Sequence, residues 1–227
     1  MKVLVLETSG ALCGAALICD GEIRALRRFE HEMHLSETLM GHIDACLAEA
    51  GVRVEQLTGI GVDVGPGSFT GLRIGVTTAK TLAWSLGVPA AGVDSLTGHL
   101  ASVEAPFAVA VVRALPGHVY CRIRSMQRVS PPRMLSVAQL AEELSGISDS
   151  WLVAGDGAHA LAAAGEERGL RMILTQVSAP DVAVTARLAE RMLEDGKGVP
   201  GIRLEPLYIA PPPIDPRAER KAQSSAC

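Results

Sequence analysis

Short apolar runs alternate along the chain with stretches of helical period. Residues 3–6 form an unbroken apolar run, the pattern of a strand buried on both faces. Glu7-Thr8-Ser9-Gly10 interrupts it as a polar turn, and residues 12–19 make a second strand. Asp20-Gly21 is a hairpin signal, and residues 23–29 continue as a third strand. The chain therefore opens as an antiparallel three-strand unit.

From Leu35 the period changes. Leu35, Leu39, Ile43, Cys46 and Ala50 fall on one stripe of a helix, and Gly51 terminates it. Met40 and Leu47 widen the apolar arc beyond what covering a sheet requires, so the excess is either core or partner surface. A strand over residues 60–64, a helix over 70–86, a strand reaching Val93 and a helix capped by Asp94 or Ser95 follow. The second half repeats the outline: strands over 107–112 and 118–123, a helix from Ser136, a strand over 151–154, a helix over 158–165, a short strand over 171–174, and a helix from Pro180 to Leu193. Strand-and-helix alternation in both halves predicts an α/β protein.

Composition narrows the setting. The 227 residues suffice for one large or two small domains with a real core. The net charge of -4 does not demand nucleic acid as a partner. Cys13, Cys19, Cys46, Cys121 and Cys227 are odd in number and contain no CxxC pair, which argues against a disulfide or zinc framework and for a reducing, cytoplasmic setting. Glu7 interrupts the first apolar run too early for an export signal, and no apolar stretch is long enough to span a membrane.

The densest chemistry lies in Gly65-Pro66-Gly67-Ser68-Phe69-Thr70-Gly71-Leu72-Arg73-Ile74-Gly75. A strand, a glycine turn and a helix start can cradle a phosphate, which makes Thr8, Ser9, Gly65 and Gly67 candidate ligand contacts. The same stretch also reads as a rigid corner over Gly65, Pro66, Gly67, Ser68, Phe69, Thr70 and Gly71. The lysine-bearing P-loop pattern is missing, because Leu72 follows Gly71, and Thr70 stands where a dinucleotide fingerprint needs its last glycine. Gly71, Gly75, Ala79 and Ala83 recur at four-residue spacing. Glycine inside a helix costs roughly 1 kcal/mol against alanine, so this ridge calls for a closely approaching neighbour, either the helix from Leu35 or another subunit. His31 and His34 are a close pair without a third metal ligand. Arg122, Arg124 and Arg128 read either as a basic strip for nucleic acid or as ordinary arginines on an exposed sheet face. No hydrolytic motif occurs: Ser68 lies outside G-x-S-x-G, and HExxH is absent.

The long glycine motif, with Leu6-Glu7-Thr8-Ser9, the segment from Arg113 to Tyr120, Ala154-Gly155-Asp156-Gly157 and Pro206-Leu207-Tyr208, resembles the TsaB (YeaZ) family. These are bacterial accessory proteins for making threonylcarbamoyladenosine at position 37 of tRNAs reading ANN codons. The resemblance implies a two-lobed actin-like ATPase (ribonuclease H-like) fold, with mixed sheets flanked by helices. It implies lobes over residues 1–103 and 104–210 and an extended polar tail over 211–227. It implies a non-catalytic subunit that forms a heterodimer with TsaD and meets TsaE and tRNA through that complex; an apolar helix face left open when the chain is alone can also pair with a second copy as a homodimer. ATP and metal would reside on the partner proteins. The family's contact with TsaD uses first-lobe helices, which assigns it to Leu39, Ile43, Cys46, Gly71, Gly75, Thr78, Ala79 and Leu82. Arg113 and His118 replace residues usually acidic in the family, which weighs against a nucleotide or metal role in the cleft. The rival readings are an ATP-dependent phosphotransferase or protease of the same fold, and a direct tRNA binder.

Overall fold

The computed structural model describes residues 1–31, 34–176 and 179–209. The tail over 211–227, with its proline run and Cys227, lies outside them. The first strands are β1 (Lys2–Glu7), β2 (Leu12–Cys19) and β3 (Glu22–Glu30), joined as an antiparallel meander in which Leu4 lies opposite Leu17 and Ala16 opposite Leu26. The chain then runs through α1 (Leu35–Glu49), β4 (Gly59–Gly65), α2 (Phe69–Leu86), β5 (Pro89–Asp94) and α3 (Ser95–Ala101). β1, β4 and β5 are parallel, as expected where helical crossovers separate strands. Their side chains are buried on both faces, and the apolar runs of the sequence reflect this.

The second set comprises β6 (Phe107–Arg113), β7 (His118–Ser125), β8 (Arg128–Val129), β9 (Arg133–Ser136), α4 (Val137–Ser145), β10 (Ser150–Ala154), α5 (Ala158–Glu166) and β11 (Arg171–Leu174). It repeats the pattern of the first: β6 and β7 are antiparallel, and β6, β10 and β11 are parallel. The chain closes with α6 (Val182–Glu194), β12 (Val199–Pro200) and a 3₁₀ turn over Gly201–Arg203. Two six-stranded mixed sheets result, ordered β12-β5-β4-β1-β2-β3 and β11-β10-β6-β7-β8, with β9 also on β7.

The two lobes do not divide at residue 103. Leu96, Leu100 and Val103, on and just after α3, are buried with Ala108, Ala110 and Val112 of the second sheet. Reciprocally, Val182, Ala186 and Ala189 of α6 are buried with Val3, Val5 and Ile18 of the first. β12 adds an edge to the first sheet through β5, and Leu207 N–H donates to Val64 O at 2.8 Å. Residues 104–210 thus include elements that complete the first lobe, which corrects the expected boundaries. α6 carries alternating charged and apolar positions that fit either sheet, so sequence alone did not say which it covers.

α1 and α2 cover the opposite face of the first sheet from α6, over a core including Leu4, Leu17, Leu39 and Ile60. α2 is capped at both ends: Ser68 Oγ accepts the Gly71 N–H, and Gly87 closes the helix at φ +67°. Among the described residues, no helix is long and apolar enough to cross a membrane.

Candidate functional site

The glycine turn and the first polar turn are built against each other. Ser68 N–H donates to Ser9 O at 2.7 Å, and Thr8 Oγ1 donates to Gly71 O at 2.9 Å. A Cβ on Gly67 would stand 2.4 Å from Ser9 O, and one on Gly71 would stand 2.1 Å from Thr8 O. At Gly75 it would stand 2.1 Å from Thr8 Oγ1. The close neighbour required by the small-residue ridge is therefore the turn after β1, neither α1 nor another subunit. Gly65 sits at φ +99°, a region that favours glycine, and precedes a cis bond to Pro66.

Thr8 is wholly buried, and its hydroxyl is spent on Gly71. Ser9 donates both N–H (2.9 Å) and Oγ–H (2.6 Å) to Glu7 Oε1. Glu7 faces Asp63 on β4, and both carboxyls are buried. Asp63 Oδ1 accepts Gly65 N–H and Ser95 Oγ–H, each at 2.6 Å. Among the described residues, its Oδ2 has no hydrogen-bond partner. The negative charge of Asp63 beside Glu7, in a buried site, favours a protonated Glu7. Burial, then the charge of Asp63, pushes the Glu7 carboxyl well above the usual range, and burial lifts Asp63 to about 6.

Between the lobes lies a cavity of about 750 Å³, walled by Ser9, Gly67, Ser68, His99, Arg113 and Asp156. Of the four candidate ligand contacts, Ser9 and Gly67 reach it, whereas Thr8 and Gly65 do not. His99 on α3 is 1% exposed, its Nδ1 has no partner, and burial lowers its pKa to about 4, so it is neutral at physiological pH. Arg113 is turned onto Asp156: its N–H reaches Oδ1 at 2.8 Å and its Nε–H reaches Oδ2 at 3.0 Å. On the other side of Pro66 and Gly67 a second groove, of about 460 Å³, runs past Phe69, Arg73, Leu115, Tyr120 and Tyr208.

Several expected contacts are placed elsewhere. Leu39, Ile43, Cys46, Gly71, Gly75 and Ala79 are buried inside the first lobe, so they cannot meet a partner directly; Thr78 and Leu82 are half-buried. The apolar stripes of α1 and α2 serve the sheet, and what these helices turn outward includes Met40 and Trp84. Arg122 and Arg124 do not form an open basic strip. Arg122 Nη1 donates to Asp94 Oδ2 at 2.7 Å, and Arg124 donates to Leu100 O and Val103 O at 2.8 and 2.9 Å. They fasten α3 to β7, whereas Arg128 remains exposed. His31 Nδ1 lies 3.2 Å from Gly10 O, and exposed His34 sits beside Glu37. Among the described residues, no group of three or more His, Cys, Asp or Glu is placed to hold a metal.

Two lobes of similar topology, each a mixed sheet with flanking helices, closing on a cleft, define an actin-like fold. The solved ROK hexokinase from Thermus thermophilus shares the fold, with a TM-score of 0.50 and 13% identity over 86% of this chain and 100% of that one. Residues 30–183, more than half of the sequence, match the family described as TsaD: tRNA N6-adenosine threonylcarbamoyltransferase, and the chain belongs to that family. Within it the likeness that covers nine-tenths of this chain is to TsaB and YeaZ, whereas a transferase of Geotalea uraniireducens (strain Rf4) is 32% identical over 53% of this chain and 41% of its own. The tRNA threonylcarbamoyladenosine biosynthesis protein TsaB of Escherichia coli (strain K12) is 26% identical over 92% of this chain and 94% of its own. A Pseudomonas aeruginosa crystal structure, of an uncharacterized protein with similarity to peptidase YEAZ, superimposes with a TM-score of 0.78. It is 25% identical over 92% of this chain and 99% of that one.

Proposed function

We propose that this chain is a non-catalytic accessory subunit for threonylcarbamoyl transfer to adenosine 37 of tRNA, acting by pairing with a TsaD-type transferase in the cytoplasm. The observation that carries this is the end-to-end likeness to the E. coli protein, which spans both lobes and not the glycine motif alone. The internal use of the Thr8 and Ser9 hydroxyls supports it, because it leaves the glycine turn as a rigid corner. In this reading ATP and metal belong to the partners, and TsaE and tRNA join through the pair.

The contact runs over the outward side of α1 and α2, with Met40, Thr78, Leu82 and Trp84 in place of the buried stripe. Met40 is 44% and Trp84 is 69% exposed, and burying such side chains is a main source of association energy. Chromatography with light scattering, on the chain alone and mixed with TsaD from the same organism, tests this. The expected result is a one-to-one species that Thr78→Arg abolishes while leaving the melting temperature unchanged. Separate peaks, even with ATP and tRNA present, would overturn the proposal.

A further inference from the structure

The groove on the far side of Pro66 and Gly67 has no part in the pairing proposed above. It carries two exposed aromatic rings, Phe69 and Tyr208, each 56% exposed, and half-buried Tyr120. Phe69 opens α2 and is not needed by the core. The Arg73 guanidinium sits 5.1 Å from its ring centroid and holds the ring by a cation–π contact. Arg113, whose side chain is 74% exposed, forms the opposite wall. The groove lining contains these two arginines and no Asp or Glu; Asp156, the partner of Arg113, lines the neighbouring cavity instead. Its volume of about 460 Å³ suits a small-ligand cleft. The groove also abuts the first two turns of the 18-residue α2, whose N-terminal end favours negative charge.

Flat rings left in water beside Arg73, and beside Arg113 whose only carboxylate partner among the described residues stands outside the groove, match one ligand chemistry: an aromatic base joined to a phosphate. An apolar peptide would use the rings and leave two arginines to desolvate. An acidic peptide would use the arginines and leave the rings exposed. We infer that this groove binds a single nucleotide unit, its base stacked on Phe69 or Tyr208 and its phosphate held by Arg73 and Arg113. The unit is either a free mononucleotide or an unpaired nucleotide of an RNA strand.

Fluorescence anisotropy of the full chain with a labelled, unstructured RNA heptamer at low salt, with AMP as competitor, tests this. RNA binding is expected, with Phe69→Leu weakening it about tenfold, in line with the usual worth of base stacking. Arg113→Gln should weaken it while reducing the slope of log affinity against log salt by about one. Displacement by AMP at a comparable concentration identifies a mononucleotide site, and failure of AMP to compete identifies an RNA-strand site; both support the assignment. Equal binding by the wild type and both variants, or no binding of either probe, overturns it. Loss of pairing with TsaD in Phe69→Leu, with RNA binding unchanged, would give the groove to a protein segment instead. Pairing and RNA binding are read separately, so failure of one proposal does not mask the other.

Discussion

Glu7 and Asp63 direct their carboxyl groups at each other from neighbouring parallel strands, and neither is open to solvent. Glu7 ends β1 and Asp63 lies near the end of β4, one step beyond the paired Leu6 and Val62. Ser9 and Thr185 donate to the first carboxyl, and Gly65 and Ser95 donate to the second. Asp94 is the further charge that raises Asp63, and Cys13 is the thiol that feels Glu7. The pair joins both strands, the first polar turn, α3 and α6.

The two raised carboxyls make stability depend on pH. Both carboxyls hold their protons more tightly in the fold than at their ordinary values of 4.5 and 3.8. The stabilisation is therefore complete below those values, and is lost as pH rises through about 6 for Asp63 and higher for Glu7. Glu7→Gln removes one of the two titrations and keeps the shape of the side chain. In denaturant melts from pH 5 to pH 8 the variant should gain on the wild type by up to about 1.4 kcal/mol per pH unit. Parallel curves would show that Glu7 titrates in the fold as it does in the unfolded chain.

Gly75→Ala should destabilise the isolated chain by about 1–3 kcal/mol, the usual cost of overpacking. Its new methyl would meet Thr8 Oγ1 at 2.1 Å. Thr8→Ala removes that hydroxyl and should restore part of the loss in the double variant, although alone it forfeits the bond to Gly71 O, worth about 1 kcal/mol. Thermal melts of the four proteins give the coupling. Strictly additive losses would mean that the ridge does not rest on this turn.

Arg124→Met should speed amide exchange in the last turn of α3 and lower stability by about 1–3 kcal/mol, because two carbonyls lose a charged donor. Those carbonyls belong to Leu100 and Val103. Arg128→Gln, at an exposed site, should change neither. Equal exchange in all three proteins would mean that the guanidinium does not hold the helix end.

Strand and helix positions were legible wherever period and punctuation agreed. β2, α1 and α2 fall within a residue or two of their expected limits, because each combines a clear apolar period with a turn or cap. β8 and β12, two residues each, carry no period to detect. Part of the expected interface lies in the core for a different reason. A wide apolar arc states how much surface is hidden without saying by what, and the sheet beneath claims Leu39, Ile43 and Ala79. Glu7 and Asp63 did leave a trace, since each is an acid set into an apolar run. Their meeting depends on β1 pairing with β4, a contact between residues more than fifty apart in sequence. The groove at Phe69 was hidden in the same way, because its walls come from α2, the second sheet and the last described residues.

The exchange of helices between lobes bears on how the chain comes off the ribosome. One face of the first sheet, with Val3, Val5 and Ile18, stays uncovered until α6 has been made. By then nearly all of the second lobe has emerged and has α3 in hand. The first lobe, although made first, cannot finish first. Synthesis must carry an incomplete lobe for most of its length, and a protease or chaperone meeting the nascent protein meets that open face.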